Sequence, residues 1–82
     1  MGEATPKVRS GYATYPDYEE ADSSRVDEIK TLVEASGGVV RRVIASEEDA
    51  QALVSFAGIP QDKAESFKEQ AEDNGWSVEW RN

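Results

Sequence analysis

The sequence predicts a small α+β domain with element order (β)-α-β-α-α-β, in which a two- or three-stranded sheet packs against three helices. Three observations lead there. Apolar residues recur at helical spacing in three segments, each closed by a glycine. Val39–Ala45 (VVRRVIA) is rich in β-branched residues, as strands are. Trp76–Arg81 alternates apolar and polar residues without a break, the mark of a half-buried strand. Eighty-two residues accommodate one domain.

Residues 1–22 are expected to form an acidic, partly flexible arm, and residues 23–82 the compact domain. Within the arm, residues 7–15 (KVRSGYATY) carry β-favouring Val8, Tyr12, Thr14 and Tyr15, so an edge strand is conceivable there, interrupted by Gly11 and stopped by Pro16. The first helix is expected from Ser24 to Ser36. Ser24-Arg25-Val26-Asp27 has the spacing of a capping box, Val26, Ile29, Leu32 and Val33 make one apolar stripe, and Gly37-Gly38 ends it. The Val39–Ala45 strand is apolar on both faces, which suits a central or doubly covered strand.

Ser46-Glu47-Glu48-Asp49 repeats the capping spacing and points to a second helix, with Ala50, Leu53, Val54 and Ala57 as its buried stripe and Gly58 as its end. Pro60 suits the first turn of a third helix, whose buried face is Ala64, Phe67 and Ala71 and whose end is Asn74-Gly75. The last strand turns Trp76, Val78 and Trp80 inward, and the two tryptophans should contribute most to the core, about 200 Å² each.

Composition narrows the chemistry. The chain has neither Cys nor His, so disulfides, thiolate metal sites and the usual neutral-pH general base are absent, and no cofactor or metal is expected. No phosphate-cradling glycine loop and no calcium-loop pattern occurs. A domain this size has little core from which to carve a dry cleft, so a non-enzymatic role is expected. No signal-like or membrane-spanning apolar run is present, and a cytoplasmic location is expected. Seventeen acids against nine bases give a net charge of −8, which disfavours direct contact with nucleic acid or anionic membranes and favours a protein partner with a basic surface. The oligomeric state is not specified by these features.

The acids fall in three clusters: Asp17, Glu19, Glu20 and Asp22; then Glu47, Glu48 and Asp49; then Glu65, Glu69, Glu72 and Asp73. In the third, helical spacing lines the acids along one face at intervals of roughly 5–6 Å, a scale comparable to phosphates along a nucleic-acid strand. Each cluster also has an ordinary reading as solvated surface, and the second sits where a helix dipole favours acids in any case. Tyr12, Tyr15 and Tyr18 lie beside the first cluster and could either dock on a partner or pack over the small core. The candidate partner-binding set is therefore Glu65, Glu69, Glu72, Asp73, Asp17, Glu19, Glu20, Tyr15 and Tyr18. Phe56 falls off the expected helical stripe and is the anchor for an alternative role, an adaptor binding through an apolar patch.

Two partial likenesses remain. Leu53–Phe67 resembles a helix-turn-helix in spacing, but the start of its second helix (Pro60, Gln61, Asp62, Lys63, Glu65) lacks the basic face of a DNA reader. Ile59–Arg81, about a quarter of the chain, resembles the last helix and strand of the ribosomal stalk protein's C-terminal domain at Ala64-Glu65, the Gly75 turn and the Trp76–Trp80 alternation. The remainder departs from that family, and no functional residue carries over. In size, acidity and lack of Cys the chain is similar to phage-encoded inhibitors of bacterial defence systems, anti-CRISPR proteins among them, which implies a nucleic-acid-mimicking inhibitor.

Overall fold

The computed structural model describes residues 8–81. The order is β1 (Val8–Pro16), a single 3-10 turn (Glu20–Asp22), α1 (Ser23–Ala35), β2 (Val39–Ser46), β3 (Gln51–Pro60), α2 (Gln61–Asp73) and β4 (Ser77–Trp80). The four strands form one sheet in the order β2-β3-β1-β4, and every neighbouring pair is antiparallel. This is the β-α-β-β-α-β arrangement of ferredoxin-like folds, two interleaved split βαβ units.

The expected three helices over a two- or three-stranded sheet are thus corrected to two helices and four strands. The difference lies in residues 46–60. Ala50, Leu53, Val54 and Ala57 satisfy the helical template, but Ala52, Val54 and Phe56 satisfy the period-2 template over the same residues. The strand register buries all three of the latter, Phe56 to 1% exposure. The helical register would have left that ring in water, a loss of about 1.5–3 kcal/mol. The SEED tetrapeptide does make a capping-type bond, since the Asp49 N–H donates to Ser46 Oγ at 3.2 Å. It caps a hairpin turn, closed by the Ala50 N–H on the Glu47 carbonyl at 3.1 Å. Because Leu53–Gly58 is strand, the helix-turn-helix likeness dissolves.

Two strand positions are also corrected. Residues 8–16, at most an edge strand by sequence, form an interior strand between β3 and β4. Gly11 is what lets β4 approach: a Cβ there would collide with the carbonyl oxygen of Glu79. β2, expected at the centre because both its faces are apolar, is the edge strand. The remaining elements lie close to where the periodicity put them. α1 buries Val26, Ile29 and Val33, and α2 buries Ala64, Phe67 and Ala71, as their stripes predicted. Gly37 and Gly75 close these helices at positive φ (96° and 92°).

Both helices cover one face of the sheet. Ala13, Ala52, Val54, Phe56, Ile59 and Val78 meet them there. An aromatic group holds the layers together: Phe56 stands edge-on to Phe67 (centroids 4.9 Å apart) and to Trp80 (5.7 Å). Trp76 is buried against Tyr15 at 5.2 Å, while Trp80 is half-buried with the Arg9 guanidinium 4.9 Å from its ring centre. The opposite face carries Tyr12, Thr14, Leu53, Ser55, Ser77 and Glu79, and no helix of the described residues covers it.

Candidate functional site

The topology sorts the charges by position along the strands. β3 runs from the 47–50 hairpin to Pro60, and α2 returns along it, so Glu72 and Asp73 come back to the hairpin end. α1 starts at that end too. Arg25 links the two helices there: its guanidinium donates to the Asn74 carbonyl at 3.2 Å, lies 3.7 Å from Asp22 and sits 5.6 Å from the Tyr15 ring centre. The β1–α1 connection closes onto the hairpin through two bonds. The Tyr18 N–H donates to the Ala50 carbonyl and the Glu20 N–H to Glu47 Oε2, both at 3.1 Å.

Acids from all three sequence clusters therefore meet at one end: Asp17, Glu19, Glu20, Glu47, Glu48, Asp49, Glu72 and Asp73, all exposed. Glu65 and Glu69 continue the series along the outer face of α2, where they are exposed as well. Lys68 pairs with Glu72 at 3.5 Å, but both side chains are largely in solvent, so the pair is worth only a few tenths of a kcal/mol. Away from that end, Arg41 and Arg42 beside Ser55 in mid-sheet and Arg81 after β4 are exposed, and none of them makes an ion pair among the described residues. The acids of the three clusters concentrate at the hairpin end of the strands.

The two tyrosines of the candidate set behave differently from the acids. Tyr18 is 8% exposed and belongs to the core, and Tyr15 is half-buried between Trp76 and Arg25, so both rings pack against the domain. Phe56 is buried too, which removes it as an apolar anchor. Among the described residues the exposed large apolar side chains are instead Val8, Val39, Val43 and Ile44, three of them on β2. The sequence did carry that signal, an apolar run on both strand faces, but burial was the obvious reading of it.

A shallow cavity of about 420 Å³ opens on the uncovered sheet face at the acidic end, lined by Thr14, Pro16, Asp17, Asp49, Ala50, Gln51 and Ser77. Among the described residues no cluster of acids could hold a metal ion. Among the described residues no helix is long and apolar enough to cross a membrane. Comparison with known protein families, with curated proteins and with solved structures finds no match.

Proposed function

We propose that this domain is a non-catalytic binding module that docks its acidic end and the outer face of α2 onto a basic, nucleic-acid-binding surface of a protein partner. One observation carries the reading: acids from three clusters up to about fifty residues apart in the chain are brought to one end, where folding alone would favour dispersing them. Each like-charge neighbour costs a few tenths of a kcal/mol. Concentrated negative potential speeds encounter with a basic surface and fixes orientation on it. The acids sit on a rigid frame of sheet and helix ends, as a stand-in for a phosphate series would require.

The test takes one acid from each cluster. The Glu19→Lys/Glu48→Lys/Glu72→Lys variant should retain the native far-UV circular dichroism and lose capture of its partner from a lysate of the source cells. The wild-type complex should release its partner on washing at high salt and on adding duplex nucleic acid. Unchanged capture by the triple variant, with unchanged salt dependence, would overturn the proposal.

A further inference from the structure

β2 is an edge strand that is exposed along nearly its whole length, with Val39 at 55%, Val43 at 39% and Ile44 at 47% exposure. Among the described residues no strand pairs with its outer backbone groups. Edges of this kind are usually blunted by charge or a bulge. Here both devices sit in the first half of the strand only. The register slips between Val40 and Arg42, making Arg41 the extra residue, and Arg41-Arg42 supply the charge. From Val43 to Ser46 the pairing with β3 is regular, the side chains are uncharged, and two of them are exposed β-branched residues.

The charges along this segment have an internal symmetry. Reading RRVIASEED, two positive charges lie on one side of Ile44-Ala45 and three negative charges on the other. A strand so marked complements itself when turned end for end. We propose that β2 is a self-association edge: two copies pair their β2 strands antiparallel about a two-fold axis near Ile44, joining two four-stranded sheets into one continuous sheet.

In that arrangement Val43 and Ile44 of each copy meet at the axis and leave water. Arg41 and Arg42 of one copy come alongside Glu47, Glu48 and Asp49 of the other, and the same contact recurs on the far side of the axis. This gives partners to arginines that make no ion pair within the described residues of a chain with nearly two acids per base. A shallow cavity of about 180 Å³ lined by Ile44, Ser46, Asp49, Gln51 and Leu53 lies beside the axis and offers the Asp49 carboxylate to an incoming guanidinium. The two-fold axis runs normal to the sheet, so all helices stay on one side. Pairing leaves the outer face of α2 open in both copies but takes up Glu47, Glu48 and Asp49 of the acidic end; the inference rests on the β2 edge and not on the acidic-face reading.

Sedimentation equilibrium over a concentration series tests it. Wild-type protein should be dimeric at high concentration and dissociate on dilution, more readily in high salt. Ile44→Lys should abolish the dimer with the circular dichroism spectrum unchanged. Arg41→Glu/Arg42→Glu and Glu47→Lys/Glu48→Lys should each be monomeric alone, because each sets like charges against like. Mixed in equal amounts they should form a heterodimer, because both contacts become complementary again. A wild-type protein that stays monomeric throughout, or charge-swapped variants that fail to associate on mixing, would overturn the proposal. An Ile44→Lys protein that still dimerises would move the interface elsewhere and overturn it equally.

Discussion

Phe56→Ala is the substitution on which the helical and strand readings of residues 50–58 disagree most. On a helix with the Ala50–Leu53–Val54–Ala57 stripe, Phe56 faces water and its loss costs almost nothing. In the structure it is 1% exposed, enclosed between β1, β2, the helices and two aromatic edges at 4.9 and 5.7 Å. Removing a ring from such a site costs about 3–5 kcal/mol, because the walls are sheet and helix backbone and cannot collapse into the space. A domain of 82 residues is stabilised by roughly 4–12 kcal/mol in total. The variant should therefore lose about a quarter or more of its stability and melt roughly 12–40 °C lower. Urea unfolding followed by circular dichroism and by Trp76 and Trp80 fluorescence measures this directly. Leu53→Ala provides the internal control: Leu53 is half-buried on the uncovered face and should cost about 1 kcal/mol. A Phe56→Ala loss below about 1 kcal/mol, or a Leu53→Ala loss exceeding it, would refute the strand register.

Two further outcomes probe backbone geometry. Gly11→Ala should destabilise by about 1–3 kcal/mol in the same urea assay, since the new methyl group meets the main chain of Glu79 and lies 3.0 Å from the Cα of Trp80. Unaltered stability would mean that β4 is not held where the register puts it. Ala50→Gly should stabilise, because Ala50 closes the hairpin at φ 51°. Relief of about 1–2 kcal/mol of left-handed strain outweighs the roughly 0.4–1 kcal/mol gained in unfolded-state freedom, and a measured loss would contradict the turn geometry.

The parts legible in the sequence are those whose structure is decided locally. α1 and α2 announce themselves through stripes that only one periodicity fits, with glycines placed where a left-handed cap is needed. Trp76-Val78-Trp80 alternates so cleanly that β4 has no competing reading. The acids of α2 were likewise placed on one exposed face by helical spacing alone, because that spacing depends on nothing beyond the helix.

What the tertiary structure decided is which of two self-consistent periods residues 50–58 obey, and where each strand stands in the sheet. A nine-residue apolar segment can satisfy period 2 and period 3.6 together. The choice falls to the register that buries Phe56 against Phe67 and Trp80, residues that lie outside the segment and enter no local count. Strand order is decided by pairing between distant residues, so β1 became interior and β2 an edge despite compositions that suggested the reverse. The same long-range pairing brought Glu20 to Glu47 and Asp22 beside Arg25 and Asn74, turning three separate acidic runs into one pole. Composition determined how much charge this protein carries; only the fold determined where it collects.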